Sequence, residues 1–515
     1  MRKIAETVFI KSVNICYLLI MVYLFITSIF LHCELNIYSS TEVRNLEQHT
    51  WSIYFLLFLV GAIFIIFLWK YVDKCVMAND KIIQWGKYAV IGSGIIVGVL
   101  GAVWCVFYDG VPQNDQKDVL IEAQKIANYS EVPFDIAYAE GYPRLKGLIL
   151  CMSLAMKLFG NTPNAWRFFN IVGAVFLVIG ITKCAYTVWN NRVQAIFVCL
   201  LSMSFFPIII YTAFHYGTLL AVTFTAWACY GVFSFVAKRH WKYCLLSAIC
   251  FALGIQMHQS VAIAIVAAII YLLLNVTKDK WEYLVGIISI VIAVICMNSL
   301  VGATYSRITG YEFQSEKAVS AVEYMYMGLT SDTKEGGPGT IDGSHTKFRE
   351  LYPDDLEKAK ETARDAVITV IAEYINGTRD IEFFVRKAKY QWLDPTFGAR
   401  KTIILNDVEN RQPQHTEQFY NFYYGSIRQY AFKYLNILMI MVYFFAAISG
   451  ITTLARKSNA DIHFFVQIYF LGGFVFQLLW ESLSRYCFPY YIWLILEALF
   501  GVFILADKIK FKKSI

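Results

Sequence analysis

The chain has 515 residues, 58% of them hydrophobic and 17% aromatic, with a formal net charge of +7. So much apolar surface, gathered into long runs with few charges, exceeds what a soluble core can bury, and it defines an all-α polytopic membrane protein. The basic residues fall in short loops between the apolar runs and in the C-terminal tail, a pattern that encodes membrane orientation and excludes nucleic-acid binding.

In chain order the apolar runs cover 8–32, 51–69, 88–107, 165–185, 193–214, 217–236, 241–257, 259–276, 282–303, 434–453, 462–480 and 486–506, about twelve spans. The first follows Arg2, Lys3 and Lys11 and carries no small-residue cleavage pattern behind it, so it reads as a retained helix with a cytoplasmic N-terminus. All twelve cysteines lie within or beside apolar runs at no metal-ligand spacing, against both a disulfide framework and a cysteine metal site.

Alternation then leaves Lys70, Lys74, Lys81 and Lys87 inside and brings the third span out at Tyr108. Asp109, Asp115 and Asp118 follow, and then Tyr142-Pro143-Arg144-Leu145-Lys146 opens an apolar run, Gly147 to Met156, that is too short to cross. If it does not cross, the clusters Lys183/Arg192, Lys238/Arg239/Lys242, Lys278/Lys280, Arg456/Lys457 and Lys508 to Lys513 are all cytoplasmic, as is the C-terminus. Crossing would put every one of them outside, against the positive-inside rule.

The expected division is three spans in 1–107, an extracytoplasmic loop with a juxtamembrane helix in 108–164, and spans four to nine in 165–304. A large extracytoplasmic loop fills 305–433, and the last three spans and a basic cytoplasmic tail fill 434–515. Within the large loop, Pro353-Asp354-Asp355 and Asn376-Gly377 bracket a helix with apolar residues at helical spacing. A second helix is expected near Ile381 to Trp392, before the turn Asp394-Pro395. Thr330 to Ser344 is glycine-rich and expected to be mobile. The aromatic run Phe419 to Tyr424 suits the outer headgroup level.

Several side chains carry chemistry. Asp115, tethered just outside a span, reads either as a general base for an incoming hydroxyl or as a cap of the helix-like segment Lys117 to Ala127. Arg144 and Lys146 suit phosphate contact, or ordinary snorkelling at the lipid boundary. Glu481 and Arg485 stand four apart in the last outer turn, so a helical turn there would pair them and fix the guanidinium. His215-Tyr216 and His258 end neighbouring spans on the same face and are candidates for polarising a sugar hydroxyl or a phosphate, or are simply tolerated interfacial residues. Asp109, Tyr486, Trp392 and Asp394 complete the candidate substrate-binding set, and Glu497 inside the last span stands unassigned. Walker, Gly-x-Gly-x-x-Gly and HExxH patterns are absent.

Four motifs in order resemble the GT-C superfamily of polyprenol-dependent glycosyltransferases, in particular the glycosyltransferase family 39 group related to protein O-mannosyltransferases and the aminoarabinose transferase of lipid A. They are Asn114-Asp115-Gln116, the stretch YPRLKGLILCMSLAMKLFG from Tyr142 to Gly160, Ala165-Trp166-Arg167 with Asn170, and ESLSRYCFP from Glu481 to Pro489. The resemblance implies a sugar donor on a polyprenyl phosphate and transfer, with inversion, to an acceptor hydroxyl of an extracytoplasmic glycan, lipid or protein. It also implies that the short segment after YPRL is a juxtamembrane helix, as the charge argument requires. Where many relatives carry a second acidic residue after the fifth span, this chain has His215-Tyr216-Gly217-Thr218, so no cofactor and no metal are expected. The alternatives are a polysaccharide polymerase or ligase of the O-antigen type and a transporter or flippase of lipid-linked sugars.

Overall fold

A computed structural model describes residues 2–36, 43–77, 80–108, 112, 114–128, 137–189, 192–276, 281–311, 317–399, 425–456 and 460–508. Helix α1 (Arg2–Phe30) runs into an antiparallel hairpin of β1 (Leu31–Leu35) and β2 (Arg44–Gln48), followed by α2 (Trp51–Met77) and α3 (Asp80–Phe107). Then come α4 (Asp115–Asn128), α5 (Ala137–Gly141), α6 (Lys146–Phe159), α7 (Pro163–Trp189), α8 (Arg192–Ser204) and α9 (Phe206–Ile210). The central group is α10 (Thr218–Lys238), α11 (Trp241–Met257), α12 (Val261–Asn275) and α13 (Glu282–Thr309). The large loop folds as α14 (Ala321–Thr330), a two-stranded turn of β3 (Asp332–Thr333) and β4 (Gly337–Pro338), α15 (Lys347–Leu351), α16 (Leu356–Ile375) and α17 (Glu382–Trp392). The chain closes with α18 (Ser426–Ala455), α19 (Ile462–Leu479) and α20 (Phe488–Lys508).

This is an all-α polytopic membrane protein. Among the described residues nine helices are long and apolar enough to cross a membrane, and α8 with the chain to Ala213 makes a tenth, bent by 63°. The bend has a local cause: Pro207, in the first turn of α9, offers no N–H to the preceding turn. Helices α11 and α12, expected as two of the twelve spans, are apolar but shorter.

Helix α6 does not bridge the two ends of the bundle. Arg167, at the start of α7, donates to the Tyr108 carbonyl at 3.4 Å, and its guanidinium lies 5.1 Å from the Tyr108 ring. The end of α3 and the start of α7 are therefore at one level, and the chain between them leaves and returns at the same end. Its inner stripe, Leu148, Ile149, Met152, Ala155 and Met156, recurs at helical spacing and is buried, whereas Leu154, Leu158 and Phe159 are exposed. An apolar outer face is what a helix lying in the lipid interface needs.

The core is centred on α20, whose Tyr490, Tyr491, Trp493 and Leu494 are buried. Glu497, in the same helix, is satisfied inside the bundle by Ser449 Oγ and by His463 Nδ1 at 2.9 Å. The two helices expected in the large loop form: Asp355 caps α16 through Lys358 N at 3.0 Å, and Gly377 in left-handed backbone ends it. Within Thr330 to Ser344, the stretch expected to be mobile, Asp332 to Pro338 form a two-stranded turn. Gly337 and Gly339 both take φ +73, a conformation that favours glycine, and Gly339 N donates to Ser331 O at 2.7 Å. The run Phe419 to Tyr424 and residues Lys278, Lys280 and Lys457 lie outside the described residues.

Candidate active site

One cavity of about 1360 Å³ collects most of the singled-out side chains. Asp115, Arg144, Lys146, Tyr216, His258, Glu481, Arg485 and Tyr486 all line it. The polar end is built from the start of α4, the turn before α6, the turns ahead of α10 and α12, the β3–β4 hairpin and the turn between α19 and α20. Its other wall, with Ile255, Ile263, Val301 and Phe476, belongs to α11, α12, α13 and α19.

Asp115 is the first residue inside α4. The cap is Asn114, in left-handed backbone at φ +49, whose carbonyl accepts from Lys117 N and Asp118 N at 2.8 and 3.2 Å. The Asp115 side chain is 51% exposed, and its Oδ2 lies 4.0 Å from Arg485 Nη2. The next residue, Gln116, is buried and accepts from His215 N at 3.0 Å, tying α4 to the turn before α10.

Four cations line this carboxylate's cavity, Lys334 of the β3–β4 turn with Arg144, Lys146 and Arg485. The Arg144 guanidinium lies 5.3 Å from the Tyr142 ring and 5.5 Å from the Tyr324 ring, and the two phenols are bonded at 3.0 Å. Tyr324 is itself stacked between His345 and Trp480 at 5.2 and 5.4 Å, so Arg144 rests on a rigid aromatic pile. Burial holds the Lys146 ammonium below its ordinary pKa. Arg485 is set by Tyr486: Nη2 donates to the phenol oxygen at 3.3 Å, and that phenol donates to Glu481 at 3.1 Å. The turn is 3₁₀ over Ser484–Tyr486, not α-helical, so the expected Glu481 and Arg485 coupling runs through the Tyr486 hydroxyl.

His258 accepts from Ser260 N on Nδ1 at 3.2 Å, which leaves the proton of the neutral ring on Nε2. Burial, with Arg144 and Arg485 adding to it, pushes its pKa down to about 4. The close turn ahead of α10 depends on Gly217, where a Cβ would stand 2.1 Å from Met257 O.

The terminal turn is braced from the large loop and from the first hairpin. Buried Arg44 of β2 donates to Ser482 Oγ at 3.0 Å and to Thr340 Oγ1. Lys387 of α17, buried and pushed well below its ordinary pKa by that burial, donates to the Trp480 and Gly328 carbonyls. Ser482 N donates to Gly339 O at 2.7 Å.

Three candidate residues sit elsewhere. His215 is buried, with Nε2 at 3.3 Å from Pro163 O, and burial takes its pKa to about 3. Trp392 is buried against Phe470 and Phe474, and its carbonyl accepts from Tyr443. Asp394 accepts from Thr396 N, Gly398 N and Ser484 Oγ, so it positions the turn that carries Arg485 and does not face the cavity. Asp109 lies outside the described residues. Sequence reading missed Arg44, Tyr324, Lys387 and Asn298, the last of which accepts from Gln256 Nε2 in the cavity wall. Only Tyr324 had a legible sign, the capping box Ser320-Ala-Val-Glu323 that starts its helix. Arg44 acts on Thr340 and Ser482 across 296 and 438 positions and Lys387 on Gly328 and Trp480 across 59 and 93, separations that no local pattern marks.

Residues 148–297, from α6 into α13, match the model of a family described as dolichyl-phosphate-mannose-protein mannosyltransferase. The matched segment is thus similar to a membrane glycosyltransferase, while Asp115, Arg144, Lys146 and Arg485 lie outside it. No curated protein matches the chain.

Proposed function

We propose that the protein is a GT-C membrane glycosyltransferase that moves a sugar from a polyprenyl phosphate to an acceptor hydroxyl on the extracytoplasmic face of the cell membrane. The observation that carries this reading is a cavity whose polar end carries four cations, Arg144, Lys146, Lys334 and Arg485, with the carboxylates Asp115, Glu335 and Glu481, and whose other end is an apolar wall of membrane helices. A polyprenyl phosphate has that same division of charge and hydrocarbon.

In this reading Asp115 accepts the proton of the acceptor hydroxyl as its oxygen bonds to the anomeric carbon from the face opposite the leaving group. The bond from that carbon to the phosphate oxygen breaks, and the lipid phosphate leaves with the electron pair. Arg144, Lys146 and Arg485 stabilise the charge that grows on it, in a site partly screened from water. His258, neutral near pH 7, contributes a hydrogen bond and not a countercharge. The transfer itself needs no metal.

Purified protein incubated with a panel of polyprenyl-phosphate sugars and acceptor-containing membranes transfers or hydrolyses at least one of them. Asp115→Asn lowers that rate by about 10²- to 10⁴-fold, the range of general base catalysis, without loss of folding because the side chain is half exposed. Activity with none of the donors, or full activity of Asp115→Asn, overturns the reading.

A further inference from the structure

A second cluster of ligand-type side chains lies on the β1–β2 hairpin, outside the cavity. In this antiparallel pair His32 faces Glu47 and Glu34 faces Asn45. Alternation puts His32, Glu34 and Glu47 on one side, while Cys33 and Arg44 are on the other, toward Leu393 and Ser482. The nitrogen or oxygen ligand atoms of His32, Glu34 and Glu47 all lie within 4.8 Å of one another. His32 Nε2 and Glu47 Oε2 are 3.5 Å apart. Two ligands each about 2.1 Å from a tetrahedral ion stand roughly 3.4 Å apart, so this edge already has the span of a metal site.

Two further features point to a ligand. His32 is 8% exposed and His49 9%, their rings stack at 4.5 Å, and His32 Nδ1 and His49 Nε2 have no hydrogen-bond partner. Buried ring nitrogens in that condition are costly, and an ion bound at this edge brings ligands and water to partner them. Arg428 of α18 bonds the Glu34 carboxylate, as an outer partner orients a metal-bound carboxylate.

We propose that His32, Glu34 and Glu47 bind a divalent transition cation of the zinc class. One imidazole with two carboxylates favours such an ion over magnesium or calcium, which take oxygen ligands alone. The site is structural. It clamps the two strands at the face opposite Arg44 and so stiffens the brace on the Ser482 turn without entering the transfer chemistry.

The test uses the full-length protein in detergent, stripped with a chelator and titrated with zinc chloride by calorimetry in excess magnesium. The expected result is saturable uptake of about one equivalent and a rise in Tm, with uptake weakened about tenfold or more in His32→Gln and in Glu47→Gln. Cobalt in place of zinc gives the visible absorption of a low-symmetry site, lost in the same variants. Glu47 is 52% exposed, so its glutamine variant keeps the fold. Absence of zinc uptake by the wild-type protein, or uptake by folded Glu47→Gln equal to wild type, overturns the proposal.

Discussion

At the residue scale the site depends on one hydroxyl. Tyr486 joins Arg485 to Glu481, and its ring also supports the guanidinium at 5.1 Å. Tyr486→Phe keeps the ring and removes the link, so the cation loses orientation but not charge. Transfer measured in proteoliposomes falls by about 10- to 150-fold, in keeping with a hydrogen bond to a charged group of roughly 1.5–3 kcal/mol, while Tm changes little. His258 gives a second readout. Its folded pKa of about 4 lies below the reference 6.5, so the unfolded chain binds more protons between those values. Its contribution to stability is present above pH 6.5 and is lost as pH falls toward about 4. His258→Gln flattens that part of the curve of Tm against pH; an unchanged acid limb contradicts the assigned burial.

At the element scale α4 is the part that delivers Asp115, and it is held by a buried acid. Glu122 accepts from Ala139 N at 3.3 Å and from the Tyr305 hydroxyl at 3.4 Å, and burial raises its pKa from 4.5 to about 7. The sign is opposite to that of His258. The folded state binds the extra proton, so this stability is fully present below pH 4.5 and is lost as pH rises through about 7. Glu122→Gln removes the loss, and its Tm exceeds that of the wild type above pH 7 while converging toward it in acid. The turn ahead of α10 makes a steric prediction: Gly217→Ala drives a Cβ against the Met257 carbonyl and costs about 1–3 kcal/mol, read as a lower Tm in detergent. Long elements were legible because apolar runs and caps are local: α16 is bounded by Asp355 and Gly377, and α6 by its own shortness. The β1–β2 hairpin was not, since its five-residue strands carry His32, Glu34, Arg44 and Glu47 among few apolar residues. What fixes that hairpin is pairing to Leu393, Glu335 and Ser482, contacts distant in sequence.

At the scale of the whole molecule, the bundle has one end that carries the cavity and another that carries most of the short basic loops. Tyr108, Arg167, His258 and Arg485 all belong to the cavity end. At the opposite end, Arg239 stands 3.6 Å from Glu282, and Asn275 bonds the Ala460 carbonyl at 3.1 Å. The basic residues Lys238, Arg239, Lys242 and Arg456 cluster there, and from the positive-inside rule we propose that this end is cytoplasmic and the cavity extracytoplasmic. The step that decides it is α6. Were it a span, the N-terminus and the loop at His240 would fall on opposite sides of the membrane; as an interfacial helix it leaves them on the same side. Epitope tags at the N-terminus, after His240 and after Gly343, where the backbone is exposed and a side chain meets nothing, separate the two cases. In sealed right-side-out vesicles protease removes the Gly343 tag and spares the other two until the vesicles are lysed. Cleavage of the His240 tag with protection of the N-terminal one means that α6 crosses, and it would put the basic loops after it outside and separate Arg485 from Asp115 across the membrane, against the one cavity that both line.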